Sequence, residues 1–107
     1  MDGAMSSIRM LEPIVRAVGD TTEVWMDSGI RSGQDVLKAV ALGAKGVMIG
    51  RSMVYGLGAM GEAGVSAALE VVRKELDTSM ALCGRRDIQD VDRDILLVPD
   101  GFSGQFS

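Results

Sequence analysis

The sequence predicts an α/β fold built from parallel βα units, and only part of one. Two short β-rich runs, at 23–26 and 47–49, each lead into a turn carrying glycine and arginine and then into a helical pattern. Their apolar residues are consecutive rather than alternating, as in strands covered on both faces of a parallel sheet. Two such strands would leave two bare edges, so the pattern reads as a portion of a larger sheet.

The elements follow in order. Over 1–19, Ser6 and Ser7 are placed to cap a helix whose apolar positions Ile8, Leu11, Ile14, Val15 and Val18 have helical spacing. Pro13 is expected to kink that helix or restart it one turn in. The first βα unit occupies 23–45. Ser32 stands three residues before Asp35, a capping-box spacing, and Gly43 is placed as a left-handed C-terminal cap. The second unit occupies 46–84: strand 47–49, a glycine-rich turn through Gly56, Gly58, Gly61 and Gly64, and a long helix with Val65, Leu69, Val72, Leu76 and Met80 on one face, ending at Gly84. Residues 85–107 form a tail that mixes charge with an apolar patch at 95–98. The order of helix, strand, helix, strand, helix and tail matches the last two βα units of a (β/α)8 TIM barrel preceded by one helix, an incomplete barrel, since closure takes eight strands and roughly 250 residues.

Composition sets limits on function. The 107 residues are 47% hydrophobic and 24% charged, an ordinary globular balance. A net charge of −4 offers no field for nucleic acid or an anionic membrane, so an anion site must be a local cluster of positive groups. There is no histidine, which removes imidazole bases, Ser-His-Asp and Cys-His arrangements and histidine zinc ligands from this chain. No metal site is expected. The single cysteine, Cys83, lies in an apolar helical pattern and reads as a buried thiol in a reducing compartment. No apolar run reaches the roughly 20 residues of a membrane-spanning helix, and the N-terminal residues lack the pattern of a signal peptide. A cytoplasmic location is the expectation. Most of the eight methionines fall in periodic apolar segments and read as core.

The chemistry lies at the two strand ends. Neighbouring strands are about 4.8 Å apart, so the turns DSGIR at 27–31 and GR at 50–51 face one small volume. Gly29 and Gly50, lacking Cβ atoms, let backbone N–H groups approach an anion, and Arg31 and Arg51 each carry a planar donor fork that matches phosphate oxygens. Loops after the seventh and eighth strands are the frequent phosphate site of (β/α)8 enzymes. Ser28 is either a hydroxyl donor or a plain turn residue, and Asp27 alone could simply bond a backbone amide. Taken singly, each residue has an ordinary structural role. Their coincidence on adjacent strand ends favours a phosphate.

At these residues the sequence resembles the C-terminal part of the FMN-dependent α-hydroxyacid dehydrogenase and oxidase family, which includes L-lactate dehydrogenase, glycolate oxidase and mandelate dehydrogenase. DSGIRSGQDVLKAVALGAKGVMIGR, then YGL, GEAG and MALCG carry the resemblance, which spans the chain. It implies that Asp27, Gly29, Arg31, Gly50 and Arg51 are cofactor-binding positions for FMN, with the arginines and glycines around its phosphate; Ser28 is counted beside them as a cofactor-binding candidate on its hydroxyl alone. It also implies oxidation of an L-2-hydroxy acid to a 2-oxo acid by a whole enzyme whose histidine base and substrate-clamping arginine belong to a His-Gly-x-Arg segment absent from this chain, so that no catalytic residue is assigned here. A dehydrogenase of this kind could also sit peripherally at the inner membrane. The remaining barrel or partner chains, in a homo-oligomer, are expected to cover the strand edges, and the chain alone is expected to be unstable as a monomer. Two other readings stand beside this one. One is the phosphate site of another barrel enzyme, such as one similar to inosine monophosphate dehydrogenase or type 2 isopentenyl diphosphate isomerase. The other is a non-catalytic truncated module.

Overall fold

In the computed structural model, residues 2–102 are described. Helix α1 (Ser7–Val18) precedes strand β1 (Trp25–Met26), helix α2 (Gly33–Ala41), strand β2 (Gly46–Val47), helix α3 (Arg51–Met60) and helix α4 (Glu62–Leu82). Short 3-10 turns follow at Ile88–Asp90 and Arg93–Ile95. The strands are parallel, with Trp25 opposite Gly46 and Met26 opposite Val47. Flanking bonds from Lys45 N–H to the Val24 carbonyl and from Met48 N–H to the Met26 carbonyl, both 2.9 Å, extend the pairing at either end.

The strands are shorter than the apolar runs that announce them, and among the described residues only one face of the sheet is covered. Met26 is buried against Leu11, Ile30, Ala39, Leu42 and Ala44, whereas Trp25 and Met48 remain about half exposed, at 54% and 52%. The expectation of two covered faces needs neighbours that the described residues do not provide.

Helix α1 runs unbroken through Pro13. The proline deprives the Arg9 carbonyl of its usual donor, but Arg9 is exposed and water can serve it. Ser6 occupies the N-cap without making the side-chain bond expected of it. Helix α2 is capped as its sequence implies: the Ser32 hydroxyl accepts from Asp35 N–H at 3.2 Å, and Gly43, at φ +108°, closes a Schellman turn in which Gly43 N–H reaches the Val40 carbonyl and Ala44 N–H the Ala39 carbonyl. Gly84 repeats this device after α4, at φ +71°, with bonds to Ala81 and Met80.

The expected glycine-rich turn is instead helix α3. Gly56 and Gly58 lie inside it, and the break falls at Gly61, whose φ of +61° and ψ of −140° belong to a region open essentially to glycine alone. Gly56 and Gly64 are where α3 and α4 touch backbone to backbone, since a Cβ on either would collide with the other's carbonyl. Local propensity disfavours glycine in a helix. Close approach of two helices explains its presence here. On α4, Gly64 and Met80 are buried while Leu69 is exposed, so the expected apolar face is covered in part, by α3 near its N-terminal end and by α2 further along. Cys83 is exposed, contrary to the buried thiol expected; it lies one residue beyond the end of α4, next to Leu82, which is exposed as well. On the solvent side of α4, Arg73 donates to both Glu70 oxygens and holds that carboxyl below its ordinary range. An exposed pair of this kind contributes little to stability.

The tail packs back on the domain. Val91, Ile88, Ile95 and Leu96 join Leu37, Ala41 and Met80 in a second apolar cluster, and the Arg9 guanidinium lies 5.5 Å from the Phe102 ring centre. Glu12, buried on α1, accepts from Arg93 Nε at 2.8 Å and from Arg16 Nη2 at 3.1 Å, which pins the tail to a helix near the other end of the chain. Replacing Glu12 with alanine is expected to destabilise the fold by about 1–3 kcal/mol, the cost of losing charge-assisted bonds at a buried site, read as a lower denaturant midpoint.

Candidate functional site

The in-register pairing of Met26 with Val47 brings both strands to an end side by side. From β1 the chain passes through Asp27 to Ser28 and Gly29, which adopt successive left-handed conformations at φ +73° and +80°. Ile30, 5% exposed, plugs the turn into the core, and Arg31 leads to the Ser32 cap. From β2 the chain passes through Met48 and Ile49 to Gly50, the N-cap of α3, and Arg51 opens that helix.

These turns enclose one cleft of about 500 Å³. Asp27, Ser28, Gly29, Arg31, Gly50 and Arg51 all line it, with Ile30, Met48 and Ile49 as its apolar surface. Four of the nine lining residues are thus the two glycines and two arginines. A Cβ added at Gly29 or Gly50 would meet nothing within 4 Å, so space above both backbones is open. The N-terminus of α3 borders the cleft with no side-chain cap and no acid in its first turn, leaving the positive end of the helix dipole and its first N–H groups available to an anion. Among the described residues, Arg31 and Arg51 form no ion pair. The nearest partner of Asp27 is the Ser28 hydroxyl, which donates to its Oδ1 at 3.4 Å and so is turned toward the acid.

The sequence placed Asp35 only as a capping acid. Its Oδ2 also accepts the Arg31 N–H at 2.9 Å, which ties the end of the first turn to α2. The S-x-x-D spacing carried that signal incompletely, because a capping box returns the acid to the cap residue's own N–H.

Ser28 is the single described non-glycine residue with positive φ. A left-handed conformation costs an L-residue roughly 1–2 kcal/mol. Ser28→Gly is therefore expected to be neutral or to stabilise by up to about 1 kcal/mol, with Ser28→Val destabilising by about 1–3 kcal/mol; urea unfolding midpoints would order the three chains.

Among the described residues no group of three or more His, Cys, Asp or Glu side chains could hold a metal ion, and no described helix is long and apolar enough to cross a membrane.

Fold and site together define an α/β protein with an anion-competent cleft at adjacent parallel strand ends. Residues 1–98 match the FMN-dependent dehydrogenase family, and the chain belongs to it. It is 48% identical over 103 residues to the pre-mycofactocin synthase of Mycolicibacterium smegmatis, covering 96% of this chain and 26% of that protein. Over 97 residues it is 48% identical to an L-lactate dehydrogenase of Pseudomonas syringae, covering 91% of this chain and again 26% of the relative. A soluble mutant of the membrane-associated (S)-mandelate dehydrogenase from Pseudomonas putida superposes with a TM-score of 0.86 at 39% identity, over 91% of this chain and 27% of that one. The chain thus spans about a quarter of the length of the relatives it matches.

Proposed function

We propose that this chain is the FMN-phosphate-holding C-terminal portion of a flavoenzyme barrel, contributing its last two βα units, 23–45 and 46–84, with helix 1–19 before them and tail 85–107 after. One observation carries the reading: two glycine-arginine turns and an uncapped helix N-terminus share a single cleft.

The residues fit the phosphate end of FMN. Arg31 and Arg51 offset its two charges and donate paired hydrogen bonds to its oxygens. Gly29 and Gly50 leave room for those oxygens to reach backbone N–H groups, and the first turn of α3 supplies more. Asp27 is in the same cleft but, as a carboxylate, only accepts hydrogen bonds. It suits a hydroxyl of the ribityl chain rather than the phosphate, with Ser28 directing it through the 3.4 Å contact.

When bound, FMN supplies a two-electron acceptor for oxidation of the substrate. An L-2-hydroxy acid of the lactate type, converted to a 2-oxo acid, is the substrate class favoured by the L-lactate dehydrogenase relatives. Removing a proton from such a substrate needs a base, and the chain has no histidine. The base and the cation that clamps the substrate carboxylate come from the rest of the barrel, upstream of this segment. The equally similar pre-mycofactocin synthase favours a second reading in which this cofactor grip serves a different substrate. In either case the completed enzyme works as a homo-oligomer, in the cytoplasm or peripherally at a membrane. The half-exposed Trp25 and Met48 mark the sheet surface that the remaining strands and partner chains would cover.

The test is a comparison of FMN with riboflavin, which lacks the phosphate. FMN should bind at least tenfold more tightly, measured by quenching of flavin fluorescence. Equal affinities would overturn the phosphate reading. Turnover of L-lactate by this polypeptide alone would overturn the assignment of the reacting groups to other segments.

A further inference from the structure

We propose that Asp35 is a positioning residue for the anion cleft, its carboxylate holding the left-handed Ser28–Gly29 turn in the shape that presents Arg31 and the neighbouring backbone amides to a phosphate. The inference rests on the phosphate reading and extends it to a residue outside the cleft.

Two successive left-handed residues, one of them not glycine, persist only where the surroundings over-determine them. Three tethers do so here. Met48 N–H bonds the Met26 carbonyl just before the turn, Ile30 is buried within it, and Asp35 Oδ2 accepts the Arg31 N–H at 2.9 Å just after it. The last bond departs from the capping-box pattern by one residue. A third-position acid serving only the helix would accept from the Ser32 N–H, whereas Asp35 reaches past it to the residue whose side chain lines the cleft.

The placement of the charge supports the same role. Asp35 is not among the residues around the anion cleft. It borders a second cleft of about 330 Å³, shared with Ser6, Ser7 and Lys38, and the segment Ser28–Ile30 lines both. The turn is thus a wall between them. From behind that wall, the carboxylate fixes Arg31 without standing in the phosphate's place.

The experiment compares Asp35→Ala and Asp35→Asn in the 107-residue chain, with FMN, riboflavin and inorganic phosphate as probes and amide hydrogen exchange at Arg31 as a ligand-independent readout. Asp35→Ala should weaken FMN and phosphate about tenfold, the scale of one charge-assisted hydrogen bond, leave riboflavin unchanged and speed exchange at Arg31. Asp35→Asn keeps a carbonyl acceptor, so it should stay within about threefold of the parent affinity. If Asp35→Ala does not fold, Asp35→Ser, too short to reach Arg31, takes its place with the same expectation. Parent-like FMN affinity in the Ala or Ser variant, matched losses in the Ala and Asn variants, or equal losses for FMN and riboflavin would each overturn the proposal. A parent chain that does not prefer FMN to riboflavin would overturn the phosphate reading and this proposal together. A preference undiminished in Asp35→Ala would overturn this one alone.

Discussion

Arg51→Gln should weaken FMN by about ten- to hundredfold, the equivalent of one or two charge-assisted hydrogen bonds, and leave riboflavin affinity unchanged. Arg51 is the first residue of α3, so its side chain and the helix N-terminus act on the same anion. Gln keeps the helical backbone and its N–H groups and removes only the charge and the donor fork. Arg51→Lys should recover part of the loss, because an ammonium restores charge but not the planar pair of donors. Arg31→Gln should behave alike, and the double variant should lose less than the sum of the single losses if both forks grip one phosphate. The parent's preference for FMN over riboflavin should also shrink with added salt, since exposed arginines are screened. Isothermal titration of each chain with both flavins checks these outcomes. Equal loss of FMN and riboflavin in Arg51→Gln would mean that the arginine supports the fold and not the phosphate.

Those arginines were legible in the sequence because the features that place them are local. A serine three residues before an acid, a glycine after the last apolar residue of a helix and a Gly-Arg pair after a strand each specify a backbone shape within a few residues. Asp27, Ser28, Gly29, Arg31, Gly50 and Arg51 could be set at two strand ends on those signals, and parallel pairing then brings the ends together. Legibility failed where tertiary contact overrides propensity. Gly56 and Gly58 have the residue type of a turn, yet both lie in a helix, and Gly56 is there because it meets Gly64 at backbone distance. Glu12 falls outside the apolar positions that the helical spacing of α1 marks, yet it is buried and accepts from Arg93 of the tail. The apolar runs exceed the strands, since an apolar run signals burial while strand structure also needs a paired neighbour. Ser28 showed no sign of its left-handed conformation, which its type disfavours.

The same distinction between local and tertiary causes predicts opposite effects from two glycine-to-alanine changes. Gly58 lies inside α3, and a Cβ there would meet nothing within 4 Å. Gly58→Ala should stabilise the chain by about 0.4–1 kcal/mol by restricting the unfolded state and improving helix propensity. Gly33 is also helical, in the first turn of α2, but it is buried against α4. A Cβ at Gly33 would collide with Leu76 N and stand 2.5 Å from the Glu75 carbonyl carbon and 2.6 Å from the Val72 carbonyl oxygen. All three are backbone atoms of a helix, so no side-chain rotation relieves them. Helix α2 would have to lift from α4, lengthening the 3.4 Å bond from Gly33 N–H to Glu75 Oε1 and opening the cluster of Leu37, Ala41 and Met80. Overpacking of this kind costs about 1–3 kcal/mol, a large share of the marginal stability of a single domain. The damage should reach the cleft as well, because Gly33 stands between the Arg31 turn and Asp35, whose bond ties that turn to α2. Gly33→Ala is therefore expected to lower both the denaturant midpoint and FMN affinity, with Gly58→Ala raising the first and leaving the second unchanged. A Gly33→Ala chain as stable as the parent would mean that α2 does not pack on α4 at backbone distance in solution.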